Sequence, residues 1–188
     1  MTTPAEINQI KIAAELSKIA QKGGTPPAGW REYSNDDIDK TVNTGSGYQA
    51  KVFVNEFSKE IYIANAGTND YKDFIGWRTV ITAGNSPQFR DAIALGQQIQ
   101  LLVDKDNPDA VFRNYTVNTS GYSWGQGMAQ IQAYTFGWKG VGFDGVGAGA
   151  IVSSADFQSL ASGMGITPVG KAADFIADGT VWSEPTSR

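Results

Sequence analysis

Near the start of the chain, Ile7, Ile10 and Ala14 fall at helical spacing, and Ile12, Leu16 and Ile19 do the same beside them. That period predicts an amphipathic helix over residues 5–21, stopped by Gly23-Gly24 and the loop Thr25-Pro26-Pro27-Ala28-Gly29. A polar stretch follows from Ser34 to Thr44. The period then changes to two. Tyr48–Val54 and Ile61–Ala66 alternate apolar and polar positions on either side of a short polar run, Asn55 to Glu60, which predicts a β-hairpin. Ser86-Pro87 offers an N-cap followed by Pro at the first helical position, and Phe89, Ile93, Gly96, Ile99 and Val103 then form one apolar stripe ending near Asp104. Asp106-Asn107-Pro108-Asp109 reads as a turn. Val111–Thr119 reads as a strand with Tyr115, Val117 and Thr119 on one side. A helix from about Gly125 to Phe136 is expected next, with Met128, Ile131 and Tyr134 inward. A short strand Gly140–Phe143, a helix over 155–163 and a last strand Ala173–Ala177 complete the pattern.

Strand and helix alternate through the second half. The expected class is therefore α/β: a mostly parallel sheet flanked by helices, with an antiparallel hairpin at its start. A chain of 188 residues suits one core, with 1–44 as helix and polar lead-in and 45–188 as the sheet core. The same pattern also fits the N-terminal part of a longer domain of this class.

Composition narrows the chemistry. The net charge is -4 and no run of Lys and Arg occurs, so a nucleic-acid backbone is not an expected partner. There is no Cys, which removes disulfides, thiolate catalysis and cysteine-zinc sites; with no His either, no metal site and no cofactor are expected. Asp36-Asp37-Asp39 and Asp104-Asp106-Asp109 lack the twelve-residue calcium-loop pattern and read as solvated turns. Residues 1–24 have no apolar core and carry Glu6, Lys11, Glu15 and Lys18, unlike a secretory signal. Nowhere do 18 apolar residues run together, so no transmembrane segment is expected. The expected location is the cytoplasm, or outside the cell by a route that reads no N-terminal signal.

The strongest chemical signal is Gly121-Tyr122-Ser123-Trp124-Gly125, a G-x-S-x-G run placed between a predicted strand and a predicted helix. A serine on such a turn needs small neighbours two positions away, and the helix start behind it directs its positive end at the reacting oxygen. The backbone N–H of Trp124 would be one oxyanion donor. Upstream, the strand Ile61–Ala66 runs into Gly67-Thr68, a strand end from which a second donor is expected. A plain polar turn at Thr119-Ser120-Gly121 is the competing reading. The polar Asn118 and Ser120 are also unusual in the approach to an elbow. Trp30, Trp77, Trp138 and Trp182 read as core or rim, and Trp124 as a neighbour of the acyl pocket.

Here the sequence resembles the class 3 lipase-like group of α/β-hydrolases. Those enzymes have a strand ending in a Gly-Thr oxyanion turn, an Asp-aromatic pair, a long helix, the elbow, and a strand ending in a Gly-rich turn. The matching pieces are Ala66-Gly67-Thr68, Asp73-Phe74, the helix from Gln88, Gly121 to Gly125, and Phe143-Asp144-Gly145, within roughly Gly47 to Ala150. The resemblance implies Ser123 as nucleophile, Thr68 and Trp124 as oxyanion donors, and an acyl or phospholipid ester as substrate. It departs from the family at Tyr122, where His is usual, and at Ala66, where Arg is common.

The larger departure is the absent base. In this fold the acid and then the histidine follow the serine. Asp178, before Gly179, is the first candidate for the acid and Asp174 the second, while a solvated turn aspartate is the plain alternative for Asp178. No histidine follows, and a serine hydroxyl without a base is a poor nucleophile. Three readings stay open: a histidine supplied by a C-terminal segment or second chain, an inactive relative that binds a ligand or partner, or another base such as a lysine. The tail Ser183–Arg188, without helix or strand closure, fits the first.

Overall fold

A computed structural model of the chain describes residues 3–42, 44–67, 86–145 and 147–170. Helix α1 spans Pro4–Lys22. Strand β1, Arg31–Tyr33, and helix α2, Asp36–Val42, occupy the lead-in. The hairpin is β2, Ala50–Asn55, and β3, Glu60–Asn65. Then come α3, Pro87–Val103; β4, Thr116–Tyr122; α4, Trp124–Phe136; β5, Lys139–Phe143; α5, Gly149–Val152; and α6, Ala155–Gly163.

The strands form one sheet in the order β1-β2-β3-β4-β5. β1 and β3 each run antiparallel to β2, whereas β3, β4 and β5 are parallel. The predicted class is the one observed: an open α/β sheet with a hairpin at its start, continued by parallel strands and covered by helices. Alternation along β3 decides what each face meets. Tyr62 and Ala64 join Phe53, Val141 and Ala13, Leu16 and Ile19 of α1 in one cluster. Ile61 and Ile63 face the other way, into a larger cluster with Phe89, Ile93, Ile99, Met128, Ile131 and Phe157 from α3, α4 and α6. Each fully buried side chain of this size contributes about 1.5–3 kcal/mol. Clusters on both faces hold the parallel strands between two helical layers.

Local signals fix the helix ends. Thr3 and Glu6 form a capping box at α1, and Ser86 accepts from Gln88 N ahead of Pro87. α1 buries Ala13, Leu16, Ser17 and Ile19, while Ile7 stays half exposed, so the Ile7-Ile10-Ala14 row lies at the edge of the packed face. Two expectations change. The polar stretch from Ser34 contains α2, because the Asn35 side chain accepts from the amides of Asp37 and Ile38 while Ile38 and Thr41 face inward. Asp36, Asp37 and Asp39 are thus the acidic first turn of a helix rather than a solvated turn. The strand expected from Val111 begins only at Thr116: residues 111–114 are turns, Val111 is exposed, and Asn114 has φ 65°. β4 instead runs on to Tyr122, up to the elbow itself. The expected strand Ala173–Ala177 lies outside the described residues.

Candidate active site

Ser123 stands between the last residue of β4 and the first of α4, at φ 55° and ψ -121°. A non-glycine residue held there costs on the order of 1–3 kcal/mol, so the surrounding structure must impose it. Three contacts do so. The Ser123 amide donates to the carbonyl of Phe143 at 2.8 Å, pinning the turn to the end of β5. A Cβ placed on Gly121 would lie 2.0 Å from the carbonyl oxygen of Gly125, and one on Gly125 would lie 2.2 Å from that of Asn65. The two glycines of the motif thus let β4 fold back onto its own helix and let that helix start against the end of β3.

The serine hydroxyl is placed differently from its counterparts elsewhere in the chain. Thr3, Ser86 and Ser154 all sit at helix N-caps and accept a hydrogen bond from the first turn. Ser123 also sits at an N-cap, yet its side chain makes no such bond, and it forms no other hydrogen bond among the described residues. The residue is partly exposed, between buried Gly121 and Trp124. The conformation therefore forgoes capping, ordinarily worth about 1 kcal/mol, and leaves the hydroxyl at the surface of the turn.

Behind the turn lies a buried polar network that the sequence analysis did not identify. Asn65, the last residue of β3, donates through Nδ2 to Gln132 Oε1 at 2.9 Å, to the Ser120 carbonyl at 3.1 Å and to Thr119 Oγ1 at 3.2 Å. Its Oδ1 accepts from the Tyr48 hydroxyl at 2.7 Å. Gln132 donates in turn to that hydroxyl and to the Ala92 carbonyl, and accepts from Thr119 Oγ1 at 2.8 Å. This joins β3, β4, α3 and α4 directly beneath the elbow. Burial pushes the Tyr48 hydroxyl far above its ordinary pKa, a rise only partly offset by the Gln132 hydrogen bond. On the opposite face, Ser17 of α1 donates to the buried Ser120 hydroxyl at 2.9 Å. The polar approach to the elbow thus has structural partners at Ser120. The signal for them was available: Asn65 closes the apolar run from Ile61 to Ala64, and Gln126, Gln130 and Gln132 crowd a helix whose residues 124–135 are all buried.

Of the other expected site residues, Trp124 is the first residue of α4, and amides of a helix's first turn project from its N-terminus. Its indole does not face the turn. It is buried against Phe89, with ring centroids 5.8 Å apart, and Nε1 donates to Gln88 Oε1 at 2.6 Å, so the side chain belongs to the core rather than an acyl pocket. Gly67, the residue before Thr68, lies beside the serine: a Cβ on it would stand 3.2 Å from Ser123 Cβ. Thr68, Asp73-Phe74, Asp174 and Asp178 lie outside the described residues. Asp104, Asp106 and Asp109 form a turn closed by the bond from Asp106 N to Asp104 Oδ1, and no group of three metal-ligating side chains occurs among the described residues.

Residues 12–156 match the model of the Tle-like phospholipase domain, a phospholipase-like family. The chain belongs to that family. The match begins within α1 and ends in α6, so it takes in the whole sheet, the elbow and helices α2 to α5. An uncharacterized protein of Rickettsia prowazekii is 30% identical over 134 residues, covering 68% of this chain and 36% of its own length. Among solved structures, Lip2 lipase from Yarrowia lipolytica aligns with a TM-score of 0.49 at 14% identity, over 77% of this chain and 61% of that one. A Rhizomucor miehei lipase–propeptide complex gives 0.48 at 15%, over 82% and 59%. The chain thus spans about a third of the Rickettsia relative's length and about three-fifths of each lipase. No helix among the described residues is long and apolar enough to cross a membrane.

Proposed function

We propose that this phospholipase-like domain is a serine hydrolase of carboxylic esters, with acyl or phospholipid esters as substrates and Ser123 as nucleophile. The observation that carries the reading is the uncapped N-cap: among the described residues, Ser123 alone of four Ser/Thr N-caps holds its hydroxyl off the helix, in a strained turn enforced by Gly121 and Gly125. In the proposed reaction Ser123 Oγ attacks the ester carbonyl carbon while its proton passes to a histidine. The tetrahedral oxyanion lies on the amides of Trp124 and Thr68, the alcohol leaves with the proton, and water then releases the acid from the acyl-serine. The histidine comes from outside residues 1–188, which contain none, and Asp178 orients it. The proposed domain is the 188-residue unit, or the N-terminal part of a longer hydrolase domain.

The absence of histidine also favours a second reading, a catalytically inactive module of a larger protein that binds a ligand or partner. Turnover of p-nitrophenyl butyrate separates the two. The 188-residue chain alone should show at most a residual rate, about a thousandfold above water from oxyanion stabilisation and binding. A product extended after Arg188 by a histidine-bearing segment should exceed it by orders of magnitude; Ser123→Ala should remove that gain and Asp178→Asn should cut it sharply. Full activity from the chain alone would point to a different base. Inactivity of a folded longer product would establish the binding module.

A further inference from the structure

A cleft of about 420 Å³ opens between α1 and the ends of β4 and β5, lined by Ala14, Ser17, Lys18, Gln21, Lys22, Tyr122 and Phe143. It adjoins the elbow through three of these residues. Tyr122 precedes Ser123, and the Phe143 carbonyl accepts the Ser123 amide. Gln21 Oε1 lies 3.5 Å from the position of a Cβ on Gly67, itself beside Ser123. The wall therefore combines aromatic and small apolar surface with two lysines at the serine's side of the sheet.

Lys18 and Lys22 are four residues apart on α1, so they share one helix face and repel each other slightly. Neither forms an ion pair among the described residues, although Glu15 is three residues before Lys18. Among the described residues, no carboxylate lines the cleft. Asp144, next to Phe143, has its carboxylate on the Tyr122 hydroxyl at 3.3 Å. In a chain of net charge -4, this is a local cationic patch beside the reactive turn.

From this placement we infer that Lys18 and Lys22 are specificity-determining residues that select phospholipids with an anionic headgroup over zwitterionic ones. The inference rests on the proposed ester-hydrolase reading for where the scissile bond lies, with the acyl chains against Phe143 and Tyr122 and the phosphate toward the lysines. A choline headgroup brings a cation that two unpaired lysines repel. A glycerol headgroup leaves the phosphate's negative charge uncompensated and free to attract them.

Binding tests this without turnover. Monomeric dihexanoyl-phosphatidylglycerol, dihexanoyl-phosphatidylcholine and inorganic phosphate are titrated into the 188-residue chain and followed by amide NMR shifts. Phosphatidylglycerol should bind roughly 2- to 30-fold more tightly than phosphatidylcholine, the range two exposed charge pairs supply. Shifts should centre on residues 14–22 and 122–123, and the preference should vanish in Lys18→Gln/Lys22→Gln. It should persist in Lys59→Gln/Lys105→Gln, which removes the same charge elsewhere. Equal affinity for the two lipids, a preference surviving in the cleft variant, or phosphate binding as tightly as phosphatidylglycerol would each overturn the inference. A longer product that hydrolyses both lipids without preference would overturn it and leave the hydrolase reading intact. Selective binding with no turnover in that product would uphold it and remove the hydrolase reading instead.

Discussion

Gly67 passes so close to Ser123 that a Cβ on the glycine would stand 3.2 Å from the serine Cβ and 2.7 Å from the Tyr122 carbonyl oxygen. The end of the strand layer upstream of Thr68 is thus in van der Waals contact with the elbow, where the proposed oxyanion donors would have to converge. Gly67→Val should push these segments apart. In a longer, histidine-bearing product it is expected to lower kcat for p-nitrophenyl butyrate by roughly a hundredfold or more, the loss typical of one misplaced oxyanion donor. A smaller change in the urea midpoint than in the rate would show that placement, not folding, is affected.

The strain at Ser123 has a measurable sign. Glycine adopts positive φ without penalty, so Ser123→Gly should be more stable than Ser123→Ala by about 1 kcal/mol. Both variants should lack ester turnover in the longer product. Denaturant titration of the two variants side by side gives the difference; equal stability would remove strain from the account.

Gly121 and Gly125 meet backbone rather than pliable side chains, at 2.0 Å and 2.2 Å from a notional Cβ. Since neither neighbour can move without unmaking the turn, Gly121→Ala and Gly125→Ala should each destabilise by about 3 kcal/mol or more, at the diagnostic end of single substitutions. Thermal unfolding followed by circular dichroism reads this directly. Gly163→Ala, where a Cβ meets nothing within 4 Å, is the control.

The network beneath the elbow should be costly to break from one side. Gln132→Leu leaves the Asn65 amide and the Thr119 hydroxyl short of an acceptor in a buried setting, with an expected loss of about 2–4 kcal/mol. Ser17→Ala removes only the bond to Ser120 and should cost about 1 kcal/mol. If both substitutions cost the same, the network is not the cooperative unit its geometry implies.

Alkaline stability follows from Tyr62. Burial, with a smaller contribution from the Glu60 charge, raises its hydroxyl well above the usual tyrosine range. The folded state therefore holds the proton longer than the unfolded one. Its contribution is complete below about pH 10 and is lost as pH rises, by up to about 1.4 kcal/mol per pH unit. Tyr62→Phe should flatten the fall of the urea midpoint between about pH 10 and 11, and an unchanged slope would contradict the assignment.

Much of the architecture is written locally. Thr3-x-x-Glu6 and Ser86-Pro87 announce their helices by capping chemistry, and the change of period between Ile19 and Tyr48 announces the hairpin. Such signals act over three or four residues, the range within which caps and periodicity operate. The same logic could have found α2, since Asn35 followed by Asp36, Asp37 and Asp39 is a cap with an acidic first turn, but polarity masked it. At Val111 local alternation misled, because exposure of that residue and the positive φ of Asn114 are set by how residues 111–114 pack back on the end of α3.

The sequence by itself determined that a serine lies between a strand and a helix with a glycine two positions to either side, and that no imidazole accompanies it. What that serine's hydroxyl does was decided only by tertiary structure. Its release from capping depends on Phe143 from β5 holding its amide, and on Asn65 from β3 leaving space only for glycine at position 125. Likewise, Asn65, Thr119 and Gln132 are unremarkable polar residues along the chain, and become one network when β3, β4 and α4 converge. Parallel pairing joins β3 to β4 across more than fifty positions, and hydrogen bonds of that reach leave no periodic trace in the chain.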